Sequence, residues 1–143
     1  MKILQVTPTF VPSKFGGVKV VSYSLSRVLA ERGHKVVVYT TDADIGRSRL
    51  RNTHSVNTIS GVNVRYFRNL SNFAAFKYRL FLPLGMILAA RKEIDSFDII
   101  HLHSFRDFQS IVIRHYAKKY GIPYILQAHG SLITYLQKGA VKK

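Results

Sequence analysis

The sequence predicts an α/β protein built on a doubly wound, mainly parallel sheet, and three observations carry that prediction. The first forty-one residues read as strand, loop, helix and strand, a crossover long enough to join parallel neighbours. Short apolar runs such as Val36-Val37-Val38 are continuous rather than alternating, as strands covered on both faces require. Helical stretches then alternate with such runs along the rest of the chain, with glycines placed to end them.

Taken in order, Ile3–Val6 is the first strand, and its loop ends in Gly16-Gly17. Val18–Arg32 follows as a helix, with Val18, Val21, Leu25, Val28 and Leu29 at helical spacing. That spacing predicts a buried apolar stripe, with Ser22, Ser24, Ser26 and Arg27 facing away. Gly33 supplies the left-handed position that closes the helix, and Val36–Tyr39 is the second strand. Thr40–Ser60 is polar and reads as a long loop. Val62–Phe67 is the third strand. The stretch 73–93 is rich in Phe, Leu and Ala; Pro83 places a helix from about Leu84 to Ile94, behind an apolar and basic approach segment. Phe97–Leu102 is the fourth strand, Phe108–Tyr120 a helix closed by Gly121, and Ile122–Gln127 the fifth strand. A right-handed doubly wound order, 3-2-1-4-5, places the ligand crevice outside the carboxyl ends of the first and fourth strands.

Composition bounds the rest. With 143 residues, 47% of them hydrophobic, one core and one domain are expected. The absence of cysteine excludes disulfides and thiolate zinc sites. A strand begins almost at once, with no secretory leader, which gives the expectation of a cytoplasmic protein. The longest apolar run, Leu80–Ala90, contains Pro83 and Gly85 and is too short to span a bilayer as a helix. Lys and Arg number 22 against 7 Asp and Glu, a formal charge of +15. Between Asp44 and Glu93 there is no acidic residue, while Arg47, Arg49, Arg51, Arg65, Arg68, Lys77, Arg79, Arg91 and Lys92 all fall there. Such a segment attracts anions: nucleic acid, an anionic membrane or diphosphate-bearing substrates, or it is a solvated basic surface. Nucleic acid is disfavoured because no recognisable nucleic-acid-binding signature is present.

Three features converge on the expected crevice: Gly16-Gly17 after strand one, His101-Leu102-His103 on strand four, and His129-Gly130 after strand five. The diglycine lets a phosphate or sugar approach amides at a helix N-terminus, or is only a tight turn; it is neither the G-x-G-x-x-G fingerprint nor a P-loop. His101 and His103 share one strand face, where they would bind a metal, contact a sugar hydroxyl or pack. His129 sits at a strand end where the glycine after it admits a ligand, and Ser104 and Ser131 are hydroxyl donors nearby. No Gly-x-Ser-x-Gly elbow is present, which argues against serine hydrolysis.

The set Lys2-Ile3-Leu4-Gln5-Val6, Pro12, Gly16-Gly17, Leu25 to Leu29, Arg32-Gly33-His34-Lys35-Val36, Phe97 to His103 and His129-Gly130-Ser131 resembles the N-terminal half of family-four retaining glycosyltransferases. The resemblance covers nearly the whole chain and rests on the order and spacing of motifs that are individually unspecific. It implies one Rossmann-like half of a GT-B architecture, the half that holds the acceptor, with residues 1–143 as that domain. A nucleotide sugar is then the co-substrate, with no other cofactor and no metal, and a sugar or lipid-linked acceptor is the partner. Gly16 and Gly17 would approach the donor diphosphate or the transferred sugar, and His129 would contact that sugar near the reacting carbon. His101, His103, Ser104 and Ser131 would line the acceptor cleft. The family's paired glutamates, separated by seven residues, belong to the donor domain, and this chain has only Glu31 and Glu93. It is therefore expected to be the N-terminal piece of a two-domain enzyme of surface glycan or glycolipid synthesis, inactive alone.

A second expectation joins Phe73, Phe76, Tyr78, Phe81 and Leu82 with Arg68, Lys77 and Arg79 as a peripheral attachment to an anionic leaflet, on the inner face of the membrane; the alternative is that these aromatics cover the sheet as core. Other readings stay open: a nonenzymatic nucleotide- or polyanion-binding module, a metal-dependent hydrolase using His101, His103 and His129, and an epimerase of the same two-domain architecture.

Overall fold

A computed structural model describes residues 1–14, 16–51, 57–105 and 107–129. Six strands and four helices follow one another as β1 (Lys2–Val6), α1 (Val18–Glu31), β2 (Lys35–Thr41), β3 (Asn57–Ile59), β4 (Val62–Phe67), α2 (Asn72–Tyr78), α3 (Gly85–Glu93), β5 (Ile99–Leu102), α4 (Phe108–Tyr120) and β6 (Tyr124–Leu126). They form one sheet in the order β3-β4-β2-β1-β5-β6, parallel throughout except for the β3–β4 pair. Leaving out β3, this is the doubly wound 3-2-1-4-5 order that the alternation of elements predicts.

Burial explains why the strands are apolar without alternation. Leu4, Val6, Ile100 and Leu102 pack into a cluster with Met86, Ala89 and Ala90 of α3 and Ile113 and Ala117 of α4. Val36, Val38, Val62 and Val64 fill the opposite face, against Phe10 and the α1 residues Tyr23, Leu29 and Ala30. Each strand therefore needs apolar residues on both sides. Tyr39 ties the layers together, since its hydroxyl donates to Glu93 at the end of α3 (2.9 Å) and Arg65 of β4 donates to the same carboxylate (2.6 Å).

The face of α1 differs from the expectation. Ser22 and Ser26 are fully buried, whereas Val20 and Val21 are 59% and 45% exposed and Val28 lies at the surface. The valine side chains of β2 and β4 already fill the space under the helix, so small residues at the contact let the two backbones approach. The Ser22 hydroxyl is satisfied within the helix by donating to the Lys19 carbonyl (3.1 Å). A hydroxyl that bonds to its own helix loses its polar character, and apolar spacing alone then points to the wrong stripe.

The expected long loop 40–60 is also more structured. Its first residues, Thr40 and Thr41, complete β2, and Asn57–Ile59 returns as an antiparallel edge strand on β4. Ser60 and Gly61, at φ 50° and 78°, make the two-residue turn between them. Two consecutive positive φ values match the twist of a tight hairpin. Within this stretch Arg49 donates to the Asp42 carboxylate and to the Asn69 carbonyl, both at 2.7 Å. Residues 52–56 lie outside the described residues.

The approach segment before α3 holds a further short helix, α2. Its N-terminus is capped by Ser71, whose side chain accepts from the Ala74 N–H, and it ends at Arg79 in the left-handed region, φ 57°. Asn69 staples this region: its amide donates to Ser71 and Asn72, and its side-chain oxygen accepts from the Leu82 N–H (2.6 Å). Gly33 and Gly121 take the predicted left-handed conformation after α1 and α4, at φ 85° and 70°.

Candidate functional site

Strand register decides which polar side chains meet. Gln5 of β1 lies level with Val38 of β2 and with His101 of β5, so all three point to the face that α1 covers. His103, two residues beyond His101, points the same way. The Gly16-Gly17 entry to α1 and the imidazoles of β5 therefore occupy one face of the sheet at one end, the carboxyl end of β1 and β5. This is the crevice position of an open α/β sheet.

The loop that delivers the diglycine is firmly held. Phe10 is fully buried, the Tyr66 hydroxyl donates to the Val11 carbonyl, and Asp44 accepts from the Lys14 N–H (2.8 Å) and the Ser13 hydroxyl (3.3 Å). Gly16 has φ 77°, a conformation strained for any side chain, so glycine is required there. Gly17 has ordinary helical φ and ψ at the N-cap of α1, and a Cβ placed on it would meet nothing within 4 Å. Its glycine leaves an open space over the helix start rather than satisfying the backbone. No acidic residue occupies the first turn of α1. The helix end thus presents N–H groups and a positive partial charge without a carboxylate to neutralise them.

The imidazoles form a file. The rings of His101 and His103 are 4.1 Å apart and those of His103 and His129 5.3 Å apart, the latter nearly parallel. His103 is 1% exposed; its Nε2 lies 2.5 Å from the Gln5 side-chain oxygen and its Nδ1 3.1 Å from His129 Nε2. Burial pushes the His103 imidazole down to about 3, and the neighbouring His101 and His129 rings act in the same direction. Burial also lowers His101, against an opposing influence from the Gln127 side chain, and lowers His129. The file is therefore neutral at pH 7. His129 itself is in the left-handed region at φ 44°, which turns its ring back onto His103.

Of the expected site residues, Gly16, Gly17, His101, His103 and His129 thus share one face and one end of the sheet. His103 does not face a cleft directly, because both ring nitrogens are engaged below the surface. Ser104 sits in the β5–α4 connection with its hydroxyl 3.1 Å from that of Ser110, which in turn donates to the Ser104 carbonyl (3.0 Å). Its polar group is thereby turned to the first turn of α4. Ser131 and Gly130 lie outside the described residues. The three imidazoles do not converge on a common point, since His103 and His129 spend a nitrogen on each other. Among the described residues no three His, Asp or Glu side chains are grouped to hold a metal ion. Gln5 is the residue that sequence reasoning missed. Its signal was available in part: it is the one buried polar side chain of β1, and a buried amide implies a partner.

The architecture and the crevice define an α/β domain of the kind that binds ligands at a switch point between oppositely directed crossovers. The family model for Glycosyltransferase Family 4 matches residues 15–142, and the chain belongs to that family as an N-terminal glycosyltransferase-family-4 domain, a Rossmann-like half of the GT-B type. Comparison with curated proteins finds no match.

Proposed function

We propose that this domain is the acceptor side of a retaining glycosyltransferase that moves a sugar from a nucleoside-diphosphate donor to an acceptor hydroxyl, in the synthesis of a surface glycan or glycolipid. The observation that supports it is the placement of an uncapped helix start and a neutral imidazole file on one face at one end of the sheet. In the transfer, the bond from the anomeric carbon to the leaving phosphate oxygen breaks while the acceptor oxygen bonds to the same face of that carbon. Negative charge develops on the departing diphosphate, and the Gly17 end of α1 offers fixed dipoles to it. The departing phosphate oxygen takes the acceptor's proton, so His129 is assigned to hold the transferred sugar rather than to act as base. Half-buried His101, whose Nε2 is enclosed, is assigned to the acceptor side, and a second, donor-binding domain supplies the cations and the paired glutamates. The complete two-domain protein, given a panel of nucleoside-diphosphate sugars, is expected to yield a glycoside with the donor's anomeric configuration. An inverted product would overturn the mechanism; donor hydrolysis with no glycoside formed from any acceptor would overturn the transfer. The isolated 143-residue chain is expected to turn over negligibly.

The basic segment supports a peripheral membrane site on the same domain. Phe81 is core, but Phe73, Phe76 and Tyr78 of α2 are 43%, 48% and 64% exposed, and Leu70, Leu80, Leu84 and Leu88 are exposed around them. The guanidinium of Arg47 lies 5.0 Å from the centre of the Phe73 ring, with the Lys77 ammonium at 5.6 Å. A cavity of about 340 Å³ lined by Arg68, Asn69, Leu70, Leu82, Leu84 and Gly85 lies where the chain leaves β4 and enters α3. Apolar rings beside cations suit an anionic lipid surface. No helix among the described residues is long and apolar enough to cross a membrane. Co-sedimentation with vesicles containing a third phosphatidylglycerol is expected, with release by 0.5 M salt and loss in a Phe73→Ser/Phe76→Ser variant. Equal binding to purely zwitterionic vesicles would defeat the electrostatic part of this reading.

A further inference from the structure

We infer that Gln5 fixes the tautomer of His129 through His103, so that His129 offers its Nδ1 as a hydrogen-bond acceptor to a ligand hydroxyl.

The side-chain oxygen of Gln5 can only accept, so His103 Nε2 must carry the proton it shares with Gln5 (2.5 Å). A neutral imidazole protonated at Nε2 has a bare Nδ1. That Nδ1 lies 3.1 Å from His129 Nε2, which must therefore be the N–H donor of the second bond. His129 is then left with an unprotonated Nδ1, which receives hydrogen bonds and does not give them. Each tautomer is dictated by the bond before it, and the dictating group is an amide, which does not titrate.

The surroundings favour this function for the file over simple filling of space. Gln5 and His103 are both buried, at 1% exposure each, beside strands whose buried side chains are mostly apolar. An amide and an imidazole at that depth are justified energetically only when their polar atoms are paired, and here the pairing leads outwards to half-buried His129. The left-handed backbone at His129 holds its ring against His103, so the end of the file is set by the fold.

Resting on the glycosyl-transfer reading for its ligand, this assignment adds selectivity. Nδ1 of His129 accepts from a hydroxyl of the transferred sugar and gains nothing from a carbonyl or phosphate oxygen placed there. Gln5 and His103 are positioning residues: they act through His129.

The tautomers can be read in the chain itself, with no substrate, by long-range proton–nitrogen correlation spectra of ¹⁵N-histidine-labelled protein at pH 7.5. The expected result is Nε2–H for both His103 and His129. In Gln5→Leu both rings should lose that fixed state together, while Gln5→Glu, which keeps an acceptor, should retain it. A His103 protonated at Nδ1 in the unmodified protein would reverse the direction of the chain and overturn the proposal. So would a Gln5→Leu spectrum in which His103 changes and His129 does not. Should Gln5→Leu fail to fold, the unmodified protein and Gln5→Glu still decide the matter. Absence of sugar transfer by the complete protein, with the tautomers as expected, would remove the ligand reading and leave the relay standing.

Discussion

Acidifying the domain from pH 7 to pH 4 is expected to remove about 3 kcal/mol of its folding stability, chiefly through His103. The sign follows from proton counting. His103 titrates near 6.5 when unfolded and at about 3 when folded, so between those values the unfolded chain binds a proton that the native chain refuses. Stability is therefore complete above pH 6.5 and falls as the pH drops towards 3. His101 and His129 are lowered as well and act in the same direction. Two carboxylates add to the loss at the acid end. Burial opposes ionisation at both, but hydrogen bonds from Arg65 and Tyr39 to Glu93, and from the Lys14 and Ile45 N–H groups to Asp44, hold them below the usual range. Urea unfolding at pH 7, 5.5 and 4 measures the effect. His103→Asn should be less stable at pH 7 yet show a much shallower slope. A midpoint that does not move between pH 7 and 4.5 would show that the buried imidazole accepts its proton without cost.

Gly17→Asp is expected to leave the fold at least as stable and to lower sugar transfer by the complete enzyme about 100-fold or more, of the order lost when a preorganised charge-stabilising group is removed. The two halves of that expectation have separate causes. Gly17 has unstrained helical dihedrals and open space around its missing Cβ, so a side chain fits. A carboxylate at a helix N-terminus gains about 0.3–1 kcal/mol from the helix dipole, which favours the folded protein. The same carboxylate sits where the diphosphate of a donor would approach, and repels it. Gly16→Asp would confuse the two effects, because its φ of 77° adds backbone strain. Melting temperature and initial rates, measured side by side, separate them. Full activity in Gly17→Asp would place the donor's charge away from α1.

The parallel core was legible because its physics is local. Continuous apolar strands, glycine-closed helices and crossover length are each visible within about forty residues, and together they set strand order. The α1 face was not legible, because Ser22 and Ser26 are polar in composition but satisfied or enclosed in place. Strand β3 was missed for its brevity, although the Ser60-Gly61 pair before Val62 is a hairpin signal that a search for two-residue turns would have found. Helix α2 likewise announced itself only through Ser71 as a cap. In the candidate site, the diglycine and the histidines could be read from motif order. Gln5 stood out only as an amide in an apolar strand; which group it meets could not be read, since its partner lies 98 positions away and pairwise register across the sheet has no trace in a single sequence.

β1 precedes the other described strands along the chain and is one of the two central strands of the sheet. Its backbone is claimed on one side by β2, about thirty residues on, and on the other by β5, nearly a hundred residues on. Gln5 precedes its imidazole partner by 98 positions, so β1 is synthesised well before the group that its amide meets. The half-sheet of β1, β2 and β4 has to wait with one flank of β1 open, and closing that flank is a slow, long-range step. Pairing of β1 with β5 and the meeting of Gln5 with His103 are consequently one step.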